Sequence, residues 1–243
     1  MQRGQIQFVG GSWVQHDEAT VEYYNALENF EAGMSFISNN FNVRPHVGWQ
    51  LDPFGHSAVT PIILENLGFD TLFITRVGTA VKQDLKENGH LRFIWKGQDA
   101  STKGVFVTVN QGELYTVTHK IQYDKKTPVD PNATFTCMLE DILNESIPCL
   151  EAFVMDIVTN HLNTSDLNAE TGVTTFHIPA MFGDDFAYTN ASHNFKYIDK
   201  LSEMLASKSY EKFGVRITMK YSTVDEYLSA LQASEPEAAY PVY

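Results

Sequence analysis

Two acidic motifs and one arginine follow short apolar runs in a way that could support glycosyl-transfer chemistry. Asp52 closes the run His46 to Leu51 and opens Asp52-Pro53-Phe54-Gly55-His56-Ser57. Arg76 follows the run Thr71 to Thr75, and Asp184-Asp185 follows Gly183 just beyond the run Thr175 to Met181. A pair of carboxylates on one face is the minimum equipment for glycoside hydrolysis: one attacks or stabilises the anomeric carbon while the other protonates the leaving oxygen. Adjacent like charges disfavour full ionisation, so side-by-side Asp184 and Asp185 suit one of the two to act as an acid. A carboxylate beside a guanidinium stays ionised near neutral pH, as a nucleophile or metal ligand requires, and Arg76 is the candidate to do this for Asp52. Each motif also has a plainer reading. Asp-Pro after a strand makes a turn, Asp-Asp after glycine makes a helix cap or Asx-turn, and a lone arginine is a solvated or salt-bridged side chain. His56 reads as a packed or loop histidine, and His16-Asp17-Glu18 as a helix start with acidic residues at its favourable end.

These side chains can cooperate only if the elements beneath them bring the strand ends to one face. Gln5 to Val9 is a short strand-like run followed by the turn Gly10-Gly11. Tyr23, Leu27, Phe30, Met34, Ile37 and Phe41 alternate at steps of four and three, which predicts a helix closing near Asn39-Asn40 with this stripe in the core. Thr60-Pro61 opens a second helix stopped by Gly68, since proline is tolerated in a first turn. Arg92 to Trp95 and Val105 to Val109 predict strands, Gln111 to Pro131 a long loop, and about Cys149 to Leu162 a helix. Thr175 to Met181 and Val215 to Met219 read as strands. Between and after them lie a helix carrying Phe195, Ile198, Leu201 and Leu205, and a helix from Val224 to Leu231 capped by Ser222. The tail after Ala233 is expected to fray. Strand and helix units in alternation predict an α/β fold, a parallel sheet with helices outside it, either open or curled into a barrel. In such folds ligands bind beyond the carboxyl ends of the strands, where Asp52, Arg76 and Asp184-Asp185 are expected.

Composition narrows the partners. A chain of 243 residues, 43% hydrophobic and 19% charged, can bury one sizeable core, so residues 1–243 are expected to form a single domain. The net charge of -13 argues against nucleic acid or an anionic lipid surface, because such partners select clustered Lys and Arg. A neutral substrate suits the chain better. No apolar run approaches the roughly eighteen residues of a membrane span. Met1-Gln2-Arg3-Gly4 runs into polar sequence without a signal-peptide core, which leaves a cytosolic chain or one cut from something longer as the expectations. Cys137 and Cys149 lack the spacing of a zinc knuckle, and whether they pair stays open. Asn132, Asn144, Asn163 and Asn190 each begin an Asn-x-Ser/Thr sequon, which would suit a glycosylated lumenal protein.

Read as whole motifs, the chain resembles the N-terminal catalytic domain of the class II α-mannosidases, glycoside hydrolase family 38. Gly10-Gly11-Ser12-Trp13-Val14-Gln15-His16-Asp17-Glu18-Ala19 is similar to that family's Gly-Gly-Trp-Val-x-x-Asp-Glu-Ala block, with Ser12 as an extra residue. Trp49-Gln50-Leu51-Asp52-Pro53-Phe54-Gly55-His56-Ser57 resembles its nucleophile block. Ile74-Thr75-Arg76-Val77, Lys82 to Leu85 and Phe93-Ile94-Trp95 follow in the family's order, and Gly183-Asp184-Asp185-Phe186-Ala187-Tyr188 resembles the acid/base block.

The resemblance implies an incomplete (β/α)7-type barrel, closed or nearly closed, and a retaining α-mannosidase that removes terminal α-linked mannose from N-glycan-type oligosaccharides. It implies Asp52 as nucleophile and zinc ligand and Asp185 as general acid/base. Arg76 and Asp184 become neighbours that tune ionisation or contact the sugar, with Phe186 and Tyr188 as supports or pocket walls. In such enzymes zinc holds two sugar hydroxyls and helps distort the ring. The family's zinc site also uses a His-x-Asp pair ahead of the Gly-Gly-Trp block and a late His. Neither segment is in this chain, so the ligand set is expected to be incomplete here, with the C-terminal domains and the remainder of the full-length enzyme as further partners. The implied compartment is the lysosome or another secretory-pathway lumen. Two other readings remain at this point: a truncated, catalytically silent carbohydrate-binding remnant of the same fold, and a different metal-dependent hydrolase such as a sugar deacetylase, which would need histidines gathered around Asp52.

Overall fold

The computed structural model describes residues 4–97, 103–110, 121–122, 137–161, 176–183, 188–213, 216–234 and 240–243. The chain divides into two compact units: Met1–Leu114, Thr164–Pro179 and Thr223–Tyr243 form the first, and Tyr115–Asn163 and Ala180–Ser222 the second.

In the first unit, α1 (Tyr23–Phe41) buries Ala26, Phe30, Gly33 and Ile37, spaced as one helical stripe. The expected stripe holds at its centre, but Tyr23 and Phe41 at its two ends are exposed. The helix stops at Asn42, which adopts a left-handed conformation and sends its N–H to the Ser38 carbonyl, a role asparagine fills with little strain. The strands β1 (Val47–Gln50), β2 (Thr71–Ile74), β3 (Arg92–Trp95) and β4 (Val105–Val109) make one sheet in the order β1-β2-β4-β3. Both faces of its centre are covered, as its unbroken apolar strands require. On one face Gly48 and Leu72 lie in register against Leu64 of α2 (Thr60–Asn66). On the other, the Trp49 and Phe73 rings sit 5.4 Å apart, and Tyr227 of α7 (Val224–Ser234) meets Phe73 at 6.2 Å.

The fold is therefore mixed α/β, with a four-stranded, mostly parallel sheet that is open; closure into a barrel is not seen among the described residues. The expectation of parallel pairing throughout fails at β3, which runs antiparallel to β4. The link between Trp95 and Val105 is too short for the crossover that a parallel neighbour needs. The tail also differs from expectation. Val242 bridges to Ile94, the Ile94 N–H donates to the Pro241 carbonyl at 2.9 Å, and Tyr243 closes on Phe93 with ring centroids 5.2 Å apart. An edge strand with unpaired backbone groups is satisfied by this extended segment rather than left to solvent. The run 5–9 forms no ladder with β1 among the described residues; the contact beside it is made by Gly10, whose N–H donates to the Val47 carbonyl at 2.8 Å. The cap of α7 is Thr223 rather than Ser222: the Thr223 hydroxyl accepts the Glu226 N–H at 3.3 Å, and Glu226 takes the Thr223 N–H at 3.1 Å, a reciprocal capping box.

The second unit packs α4 (Leu139–Leu143), α5 (Ile147–His161) and α6 (Ala191–Phe213) around Ile142, Leu150, Phe153, Tyr197, Leu201 and Leu205. Phe195, expected in that stripe, is exposed. A disulfide joins Cys137 to Cys149 across a Cα separation of 5.6 Å, and two-residue strands β5 (Ile121–Gln122) and β6 (Cys137–Met138) pair in parallel. The strands expected at Thr175–Met181 and Val215–Met219 are not formed over residues 176–183 and 216–219, which find no ladder partner among the described residues. Most of the long loop expected over Gln111–Pro131 lies outside the described residues. No helix among them is long and apolar enough to cross a membrane.

Candidate active site

The first unit's site grows out of the β1–β2 register. Gln50 pairs with Ile74, so Asp52 and Arg76 each lie two residues past the last pair, at the carboxyl ends of neighbouring parallel strands. Arg76 Nε donates to Asp52 Oδ1 at 2.8 Å and Nη2 approaches the same oxygen at 2.7 Å. Such charge-assisted contacts are short and orient both partners. Among the described residues Asp52 Oδ2 takes no hydrogen bond. The Arg76 guanidinium also lies 4.6 Å from the ring centre of Phe54, which is 78% exposed.

Three further elements converge on this pair. Gln15 accepts the Asp52 N–H at 3.2 Å through Oε1 and donates from Nε2 to the Trp49 carbonyl at 2.8 Å, closing a two-point clasp on the end of β1. The segment bearing Gln15 is itself pinned to α1: Asn29 donates from Nδ2 to the Val14 carbonyl at 2.9 Å and accepts the Val14 N–H at 3.0 Å. Gly33 lets the backbones meet there, since a Cβ at that position would lie 2.4 Å from the Gly11 carbonyl oxygen and 2.5 Å from the Trp13 nitrogen. From α3 (Thr79–Glu87), buried Lys82 donates from Nζ to the Thr75 carbonyl at 2.9 Å, just before Arg76.

The third element is a buried carboxylate. The Glu18 side chain is 1% exposed and His56 9%. Glu18 Oε1 lies 3.1 Å from His56 Nδ1, and Oε2 accepts the Ser57 N–H at 2.8 Å and the Thr60 hydroxyl. His56 Nε2 donates to the main-chain oxygen of Arg76 at 3.0 Å, an atom that can only accept. Burial, the largest influence on Glu18, pushes its carboxyl up; the bonds from His56, Thr60 and Ser57 together outweigh it and hold the group below its ordinary range. The helix start expected at His16-Asp17-Glu18 is instead a loop. Asp17 Oδ1 takes the Ala19 and Thr20 N–H groups at 2.7 and 3.0 Å, an Asx-turn whose backbone donors lower the Asp17 carboxyl.

Of the residues expected from sequence, the structure brings Asp52 and Arg76 together. Asp184, Asp185 and Phe186 lie outside the described residues. Tyr188, with a backbone φ of 62°, packs its ring on the second unit's core. Gln15, Glu18 and His56 were not expected at the site. Their sequence separations of 37 and 38 residues from their partners follow no helical or strand period; the signal that could have pointed to them is that Gln15 and Glu18 lie in one of the blocks that resemble the family's, and His56 in another.

Zinc is the cofactor the resemblance implies. The ion takes about four ligands, and among the described residues no three His, Cys, Asp or Glu side chains are grouped so that they could hold a metal ion. Asp52 offers one carboxylate with Oδ1 already held, and both ring nitrogens of His56 are engaged by Glu18 and Arg76. The described side chains do not by themselves fit the ion.

A paired aspartate and arginine on adjacent parallel strand ends is compatible with many hydrolases; comparison with known proteins decides among them. The model of the glycosyl hydrolases family 38 N-terminal domain matches residues 1–243. The chain belongs to glycosyl hydrolase family 38. Alpha-mannosidase D of Dictyostelium discoideum is 31% identical over 230 residues, covering 95% of this chain and 17% of that protein. The lysosomal alpha-mannosidase of the same organism is 28% identical over 234 residues, covering 95% of this chain and 21% of that protein. The crystal structure of an alpha-mannosidase from Enterococcus faecalis shares the fold, with a TM-score of 0.58 at 16% identity over 96% of this chain and 21% of that one. The family 38 chain thus spans about a fifth of the length of these relatives.

Proposed function

We propose that the protein acts as a retaining α-mannosidase on terminal α-linked mannose of N-glycan-type oligosaccharides. The observation that carries this reading is the grip of Arg76 on one oxygen of Asp52 at the carboxyl ends of β1 and β2, in a chain that belongs to family 38. Held at Oδ1, Asp52 attacks the anomeric carbon through Oδ2 while the glycosidic C–O bond breaks and Asp185 gives its proton to the leaving oxygen. Water then attacks the same carbon, Asp185, now a carboxylate, takes a proton from that water, and the Asp52–carbon bond breaks to release mannose with its configuration retained. Asp184 favours the protonated form of its neighbour, and Arg76, Phe186 and Tyr188 contact the sugar or support the groups that do. Exposed Phe54 beside Asp52 offers an apolar ring face of the kind that sugar C–H groups pack against.

Zinc enters this reading as an ion held by Asp52 with donors outside the described residues. The open sheet is then a sector of a (β/α)7-type barrel, both units belong to one partial catalytic domain over 1–243, and the partners are a mannose-bearing oligosaccharide and the remainder of a family-length enzyme. A lysosomal or other secretory lumen is the proposed compartment. The name of one relative, the Cys137–Cys149 disulfide and the exposed sequon Asn144-Glu145-Ser146 in the turn after α4 support it. The reading is tested by Asp52→Ala and Asp185→Asn in the protein at its natural length. Asp52→Ala should abolish release of a chromogenic leaving group from an aryl α-mannoside, and Asp185→Asn should slow substrates with poor leaving groups most. Unchanged turnover in both variants contradicts it.

A further inference from the structure

We propose that Glu18 and His56 form a buried strut that positions the Asp52 nucleophile through the main chain of Arg76. The inference rests on the reading of Asp52 as nucleophile and adds residues that touch no substrate.

An ion pair between half-exposed side chains holds its geometry poorly by itself: solvent screens it, and two mobile side chains must be ordered. Asp52 is 49% exposed and Arg76 29%, and both stand past the last backbone pair of β1 and β2. Something else must fix the two loops relative to each other. His56, in the loop after Asp52, reaches across to the other strand end and bonds the Arg76 main-chain oxygen at 3.0 Å. Its second ring nitrogen is held at 3.1 Å by Glu18. Glu18 in turn spends its other oxygen on the Ser57 N–H and the Thr60 hydroxyl at the start of α2. All the polar atoms of this carboxylate are matched, in a site closed to water, which makes the arrangement stiff.

The two ends of the device share one short segment. Gln15, three residues before Glu18, bonds the Asp52 N–H and the Trp49 carbonyl. Gln15 therefore fixes the main chain of Asp52, and Glu18 acting through His56 fixes that of Arg76, so the segment sets the distance over which the guanidinium meets Oδ1. Because Asp52 must present Oδ2 to an anomeric carbon, a displacement of about 1 Å at this pair would cost roughly a hundredfold in rate. Glu18 and His56 are positioning residues on this account.

The test is steady-state kinetics on an aryl α-mannoside with the protein at its natural length, comparing Glu18→Gln, His56→Gln and Thr60→Val, each alone and in an Arg76→Ala background, with Asp52→Ala alongside. Thr60→Val keeps shape and removes only one donor to Glu18, so it reports even where Glu18→Gln fails to fold. The proposal expects kcat to fall roughly tenfold to a hundredfold for Glu18→Gln and His56→Gln and less for Thr60→Val, with KM moved less than about twofold. It also expects these losses to shrink to less than about threefold once Arg76 is alanine, because the strut then has nothing to position. Equal fold losses in both backgrounds mean a purely structural role and overturn the strut. So does kcat within about twofold of wild type in folded Glu18→Gln and Thr60→Val while Asp52→Ala is dead. Turnover surviving in Asp52→Ala instead overturns the nucleophile reading, and the strut with it.

Discussion

Arg76 contacts a single oxygen of Asp52, bringing Nε to 2.8 Å and Nη2 to 2.7 Å of Oδ1. The fork of a guanidinium more often spans both oxygens of a carboxylate. Here both nitrogens converge on Oδ1, and Oδ2 takes no hydrogen bond among the described residues; in the function proposed above, Oδ2 is the attacking atom. The register offset between β1 and β2 produces this pairing, since the same separation of 24 residues joins Asp52 to Arg76 and each pair from Val47 and Thr71 onward.

Arg76→Lys should therefore be costly although it keeps the charge. An ammonium is a point donor on a flexible stem and cannot hold Oδ1 from two directions. Turnover of an aryl α-mannoside should fall at least about tenfold in kcat, with KM changing much less, as expected for a group that orients the reacting atom. Steady-state kinetics on the purified variant checks this.

Gly33→Ala should destabilise the first unit. The added carbon would sit 2.3 Å from the Ser12 carbonyl carbon and 2.4 Å from the Gly11 oxygen, both backbone atoms that no side-chain rotation can move. Either α1 or the segment carrying Gln15 and Glu18 must shift, at roughly 1–3 kcal/mol. The midpoint of urea unfolding should drop accordingly, and activity should fall further than stability because Gln15 moves with that segment.

Much of this was legible in sequence, and the failures share a cause. The centre of the α1 stripe, the four strands of the first sheet and the proline-opened α2 follow from local periodicity and chain punctuation, which depend on neighbours a few residues away. The antiparallel turn of β3, the tail segment on its edge and the Glu18–His56 pair depend on which distant segments find each other. Val215–Met219 shows the converse: a β-branched run suggests a strand, yet residues 216–219 lack a neighbour to form a ladder with among the described residues. Asp52 and Arg76 were readable as partners because each follows the end of a strand; Glu18 carried no such mark, sitting in His16-Asp17-Glu18, which looks like a helix start.

Stability should depend on pH at two places in the first unit. His46 lies between Asp70, 3.1 Å from Nδ1, and Asp225 of α7, 3.1 Å from Nε2. Burial, the largest influence, lowers its affinity for a proton, but the two carboxylates outweigh it and raise the group above its ordinary 6.5. A raised value stabilises below about pH 6.5 and loses that contribution as pH climbs through the folded-state value. His46→Asn should therefore lower the melting temperature at about pH 6 and make little difference at about pH 8.5, with a small effect because the pair is exposed. Glu18 has the opposite sign. Held below its ordinary 4.5, it contributes above that value, and the contribution disappears as pH falls through the lower folded-state value. Wild type should lose more stability than Glu18→Gln on acidification below about pH 4.5, read by thermal unfolding at stepped pH.

The Cys137–Cys149 disulfide closes a short loop in the second unit, with 12 residues of separation and both cysteines buried. Replacing both by serine should cost roughly 2–4 kcal/mol of stability in that unit. Thiol titration of denatured, unreduced protein should find neither cysteine free, and two reactive thiols per chain would contradict the pairing.

The central claim is that Asp52 carries the sugar. Incubation of the protein at its natural length with a 5-fluoro-mannosyl fluoride, followed by proteolysis and mass spectrometry, reads this directly, because the fluorine slows release of the covalent intermediate. The prediction is one mannosyl adduct per chain, located on Asp52 in the peptide Trp49-Gln50-Leu51-Asp52-Pro53-Phe54, and absent from Asp52→Ala. An adduct on a different carboxylate, or turnover of the reagent with no adduct at any time, would contradict it.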